Sequence, residues 1–137
     1  MAACTQHIRP ENRSYLSLTE IDCFLSEKLG IDLKKEAPLS EEILQKISWK
    51  FVQVVPYSIL RYLSVPMERR RLSTIEEVRE IGLNLKGGMC YETNVFFSWI
   101  LLGLGYELSY CLGGVFSPPG QPNHTLVIVH HKTAICL

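Results

Sequence analysis

The chain has 137 residues, 47% of them hydrophobic, which is enough for one core of ordinary domain size. Its 14 basic and 14 acidic residues cancel and the pI is about 6.9, so no global field draws it to nucleic acid or to an anionic membrane surface. The start lacks the basic-then-apolar pattern of a signal peptide, and no run approaches the roughly 18 apolar residues of a membrane span, so a cytoplasmic protein with neither nucleic-acid nor membrane partners is expected.

Five cysteines (Cys4, Cys23, Cys90, Cys111, Cys136) stand at irregular spacings with no Cys-x-x-Cys pair, which argues against a disulfide framework and against a zinc site. Reduced thiols and no metal are expected.

Residues 1–16 are polar and aperiodic and read as a loose arm. Over 17–30, Ser17 and Glu20 form a capping box (Thr19 is the alternative cap), Ile21, Phe24, Leu25 and Leu29 share one helical face, and Gly30 is a natural stop. Ser40 caps the next helix, whose first turn carries Glu41 and Glu42; its buried stripe is Ile43, Leu44, Ile47, Phe51 and Val54, up to Pro56. Residues 58–65 read as irregular. The run Arg69-Arg70-Arg71 reads foremost as a solvated face, with an approach to a phosphate as the weaker alternative. A second capping box, Ser73 with Glu76, opens a helix to about Ile81 with Ile75, Val78 and Ile81 on its apolar face.

The stretch Lys86-Gly87-Gly88-Met89-Cys90-Tyr91-Glu92-Thr93-Asn94 then leads into Val95-Phe96-Phe97-Ser98-Trp99-Ile100-Leu101-Leu102. A flexible glycine turn becomes a buried helix with a thiol at its start. There the unpaired backbone N–H groups and the helix dipole favour an anion, so a thiolate forms more readily than in mid-helix. The helix runs to Gly103 and Gly105; residues 106–112 have strand composition, and Gly113-Gly114 breaks or bulges it. Residues 117–123 hold three prolines and a glycine and form a loop, and 124–130 read as a neighbouring strand. Helices first and strands last indicate an α+β fold: a helical domain over 17–105 and the beginning of a β domain over 106–137.

A nucleophilic cysteine needs a base, and the base an orienting group. His124, where the proline-rich loop enters a strand, is the best-placed candidate. The bland alternatives stay open: a histidine at a strand start is commonly a polar edge residue, and a free cysteine is commonly a small buried hydrophobe.

The stretch 87–94 resembles the Arg-Gly-Gly-x-Cys-x-Glu-x-Asn signature of the arylamine N-acetyltransferases. Further segments are similar to that family in the same order: 19–31, Val55-Pro56-Tyr57-Ser58-Ile59-Leu60, the continuation 99–106, Leu112-Gly113-Gly114-Val115-Phe116 and Asn123-His124-Thr125-Leu126-Val127. The resemblance implies a helical bundle followed by a β-barrel or sheet domain around a cysteine-proteinase-like or transglutaminase-like core. It implies that Cys90 is the acetyl-accepting nucleophile and His124 its partner, with acetyl-CoA as cosubstrate and an arylamine or hydrazine as acceptor, in a ping-pong reaction through a thioester. By the same resemblance Lys86, Gly87, Gly88, Glu92 and Asn94 support the cysteine turn, while Tyr57, Val115, Phe116 and Asn123 border the acceptor pocket.

There are departures from the family pattern. Lys86 stands where the family has arginine, keeping the charge without the planar fork, and Ser58-Ile59 replaces Glu-Asn. No Asp follows Asp32 and no acid of any kind follows Glu107, so the aspartate that orients the family's histidine has no counterpart; triads of this logic lose several orders of magnitude in rate without it. Leu137 comes 13 residues after His124, so a truncated β domain without the family's C-terminal lid is expected, with two strands whose exposed edges invite pairing with another chain. A weakly active or inactive fragment acting as a binding domain is therefore the alternative function, and a Cys-His hydrolase of related fold the third.

Overall fold

The structure is a computed structural model that describes residues 3–8, 14–36, 39–114, 118, 121, 123–131 and 133–136. Strand β1 (Ala3–Ile8) is followed by helices α1 (Leu18–Cys23), α2 (Glu41–Val54), α3 (Leu60–Leu63), α4 (Ile75–Leu83) and α5 (Cys90–Leu104), then by strands β2 (Glu107–Gly113), β3 (His124–His131) and β4 (Thr133–Cys136). The α+β class expected from the element order is the one observed.

α5 is the axis of the molecule. Phe96, Phe97, Trp99, Ile100, Leu101 and Leu102 are all buried, because the middle of this helix is apolar nearly all round and packs against helices on one side and the sheet on another. α1 brings Ile21 and the π-helical turn after it brings Phe24 and Leu25; α2 brings Leu44, Ile47 and Phe51; and the sheet brings Leu108, Val127 and Val129. Phe24 meets Phe96 edge-on at 5.2 Å between ring centres, and Phe51 meets Phe97 at 4.5 Å, the separations aromatic rings prefer. α4 lies against α5 at Gly82, where an added Cβ would stand 2.1 Å from the Phe96 ring.

The caps follow the sequence at two helices and shift at a third. Ser17 and Glu20 exchange their hydrogen bonds as a capping box, and Ser40 Oγ accepts from Ile43 N at 3.2 Å. Before α4, however, the box is Thr74 with Glu77 rather than Ser73 with Glu76, and the helix runs two residues past Ile81. Ser73 is turned inward instead, where Glu92 offers its hydroxyl a buried acceptor. Ile75 is exposed and does not join Val78 and Ile81 in the core. The stretch 58–65 holds the short helix α3, and α1 passes into a π-helical turn before Gly30 ends it with φ +67°.

The sheet is four-stranded and antiparallel in the order β1-β2-β3-β4, and this corrects two expectations. The sequence suggested a loose arm over 1–16, yet residues 3–8 pair with β2 from Ala3↔Leu112 to Ile8↔Leu108, with an irregularity between Cys4 and Gln6. An edge strand is held by backbone hydrogen bonds and needs no apolar alternation of its own, so composition alone does not reveal it. Behind it Leu16 is buried, and Tyr15 lies 5.0 Å from Trp99 between ring centres. The second correction concerns the expected pair of strands: β2 and β3 are flanked by β1 on one side and β4 on the other.

Candidate active site

The turn before α5 is built from two glycines that do different work. Gly87 has φ +73°, a conformation L side chains rarely adopt, and an added Cβ would lie 2.8 Å from the Pro56 carbonyl oxygen. Gly88 bridges to Tyr57 in parallel: its N–H donates to Pro56 O at 3.3 Å and its carbonyl accepts from Ser58 N at 2.9 Å. An added Cβ there would meet Glu92 Cβ at 2.6 Å. The Val55-Pro56-Tyr57-Ser58 segment thus braces the glycine turn through its backbone.

Cys90 is the first residue of α5 and is half-buried. Its Sγ lies 4.0 Å from the Asn123 carbonyl oxygen, at the outer limit of a thiol hydrogen bond. One helical turn further on, Asn94 Nδ2 donates to Thr125 O at 2.7 Å. This bond fastens the first turn of α5 to the start of β3, where His124 is the first residue and pairs in register with Gly113. Asn123 N also donates to Gly113 O at 2.9 Å, closing the loop between the strands. Among the described residues, no carboxylate hydrogen-bonds His124.

Glu92 is 7% exposed and has both oxygens occupied: Oε2 accepts from Met89 N at 3.0 Å and Oε1 from Ser73 Oγ at 2.8 Å. Ser73 Oγ in turn accepts from Arg61 Nη1 at 2.8 Å. Lys86, the cation within the motif, turns away and bonds Glu80. Glu77 sits beside this network, held to about pKa 2 by the Arg71 guanidinium and then by the Thr74 N–H.

Cys90, Asn123 and His124 share the wall of one cavity of about 730 Å³. Tyr91, Val95, Trp99 and Leu102, a single stripe of α5, form one side; Tyr110 and Leu112 come from β2, Ile75 and Val78 from α4, and Tyr57 stands at the rim. Tyr110 is bonded to Ser98, and burial pushes its phenol up from the usual range. No Asp, Glu, Lys or Arg is among the described residues that line it. Of the pocket residues expected from the sequence, Tyr57 and Asn123 are here, while Val115 and Phe116 lie outside the described residues. The sequence did not single out Tyr15, Trp99 or Tyr110, since an α5 that is apolar all round conceals which stripe faces a cavity. The spacing of Tyr91, Val95, Trp99 and Leu102 is the signal that could have found it.

A thiol at the start of α5 and a histidine at the start of β3 thus share the wall of one apolar, aromatic cavity. A family model described as N-acetyltransferase matches residues 41–134, and the chain belongs to the arylamine N-acetyltransferase family, whose members are acyltransferases using acetyl-CoA. Comparison with curated proteins and with solved structures found no match. Among the described residues no helix is long and apolar enough to cross a membrane, and no group of His, Cys, Asp and Glu could hold a metal ion.

Proposed function

We propose that the chain transfers an acetyl group from acetyl-CoA to an arylamine or hydrazine through a thioester on Cys90, with His124 as the proton carrier. One observation carries this reading: Cys90 and His124 stand in the wall of the same aromatic-lined cavity, their two elements fastened by the Asn94–Thr125 bond. The Cys90 thiol gives its proton to His124 and Sγ attacks the acetyl carbonyl. The carbonyl's bond to CoA sulfur breaks, and CoA leaves with a proton. The acceptor nitrogen then attacks the thioester and passes its proton through His124 to the departing Cys90 sulfur. Splitting one hard acyl transfer into two easier ones is the gain of the covalent route. Lined by rings and aliphatic groups, the cavity suits a flat, uncharged acceptor.

The test is intact mass after incubation with acetyl-CoA. The wild type should gain an acetyl group and Cys90→Ala should not; a Cys90→Ala chain that is acetylated equally overturns the assignment. A second reading, a family member that works by binding and is catalytically weak, is favoured by the absence of a carboxylate on His124 among the described residues. It predicts no adduct from a folded wild-type chain.

A further inference from the structure

We propose that Arg61 and Ser73 are positioning residues for the nucleophile: the Arg61 guanidinium, acting through the Ser73 hydroxyl, neutralises and holds the Glu92 carboxylate that ties down the backbone immediately before Cys90. The proposal rests on the reading of Cys90 as the nucleophile.

The direction of the relay is fixed by its chemistry. Arginine is always charged and only donates; a carboxylate only accepts; serine has one proton and two lone pairs. Arg61 Nη1 therefore donates to Ser73 Oγ at 2.8 Å, Ser73 Oγ donates to Glu92 Oε1 at 2.8 Å, and Glu92 Oε2 takes the Met89 N–H at 3.0 Å. Ser73 and Glu92 are 6% and 7% exposed, so the last two links are shielded from water, where such bonds are stronger and a broken one is more damaging. The other arm of the Arg61 fork reaches Glu77 Oε1 at 3.2 Å, and Glu77 is itself clamped by Arg71 and the Thr74 N–H, so the α4 cap sets where the guanidinium points. Arg61, Arg71, Ser73, Glu77 and Glu92 line a second, smaller cavity of about 170 Å³, and Met89 lines both it and the main one. The motif's own cation, Lys86, does not serve here, because its ammonium is bonded to Glu80.

The relay bears on the thiol electrostatically. Glu92 is two residues from Cys90, and an uncompensated carboxylate there opposes formation of a thiolate. The other titratable groups that share a wall with Cys90 are His124 on β3, Tyr110 on β2, Tyr91 on α5, and Tyr57 and Tyr15. Arg61 is about half-exposed, so its effect is screened in part.

The experiment is the pH dependence of Cys90 alkylation by iodoacetamide, resolved from the other cysteines by peptide mass. Arg61→Met should slow alkylation at neutral pH by about three- to tenfold and move the profile upward by about half to one pH unit. Adding Glu92→Gln to Arg61→Met should remove the uncompensated charge and bring the rate back to within about twofold of the wild type. If Arg61→Met does not fold, Ser73→Ala, which leaves the Arg61–Glu77 pair in place and deletes only the middle link, carries the same expectation. Profiles that superimpose on the wild type in a folded variant, or a double variant as slow as the single one, overturn the proposal. Iodoacetamide needs no acyl donor, so failure of acetyl transfer with a shifted profile would sink the proposed function and leave the relay standing.

Discussion

Asn94→Ala removes a side-chain bond that fastens α5, which opens with Cys90, to β3, which opens with His124. The lost bond is a 2.7 Å amide-to-carbonyl contact, worth about 0.5–1.5 kcal/mol net, and Thr125 O is only partly shielded, so water replaces the donor at little further expense. For a domain of this size that amounts to a fall in melting temperature of about 2–5 °C. The effect on chemistry should be larger than the effect on stability. His124 is next to Thr125 and belongs to a strand end that adjoins the proline-rich loop, so releasing it lets the histidine move away from Cys90 while the core of Val127 and Val129 stays packed. A displacement of about 1 Å between reacting groups lowers rates by up to about a hundredfold. The assay pairs a thermal melt with the rate of Cys90 acetylation at saturating acetyl-CoA. A variant with the lowered melting temperature and an unchanged acetylation rate would refute the claim that this bond sets the Cys90–His124 geometry.

Gly87→Ala should destabilise by about 1–3 kcal/mol, measured by urea denaturation, because φ +73° and the Pro56 carbonyl both resist a Cβ. A loss below 0.5 kcal/mol, on the order of a surface substitution, would contradict the tight turn. Gly82→Ala overpacks the α4–α5 contact against Phe96 and should lose about 1–3 kcal/mol in the same assay while leaving the alkylation profile of Cys90 unmoved. Glu77 has a folded-state pKa of about 2, below its ordinary value of 4.5, so its charged form is favoured by folding. Its contribution is complete above the ordinary value and disappears as pH falls through about 2. Melting temperatures of wild type and Glu77→Gln should therefore differ most at pH 5–7 and converge as the pH approaches 2, and a gap that widens on acidification would contradict the Arg71 and Thr74 contacts.

How much of this was legible in advance depends on the kind of interaction. The stripes of α1 and α2, the Ser17 and Ser40 caps and the start of α5 at Cys90 follow from local spacing, and spacing is what a sequence displays directly. β1 was not legible, because its place depends on a free edge of β2 about a hundred residues away and on backbone groups every residue carries. Ser73 was read as a cap because Ser and Thr are near-equal at that position; only the buried oxygen of Glu92 decides that Thr74 caps and Ser73 turns inward. The sequence pointed to Cys90 and His124, which line one cavity, but not to Arg61, which has no fixed spacing to the motif and is brought in by α3 and the cap of α4. Asn94 was read as support for the cysteine turn; its side-chain bond to β3 is a contact between elements that the motif could not name.

The central claim is the covalent route through Cys90, and a single-turnover experiment tests it most directly. The chain is acetylated with acetyl-CoA, freed of CoA, mixed with a neutral arylamine, and followed by intact mass and by product. Acetylated amine should appear at the same rate as the acetyl group leaves Cys90, and His124→Ala should slow both together. An acetyl group that stays on the protein in the presence of amine, or that leaves by hydrolysis with no acetylated amine formed, would contradict the account.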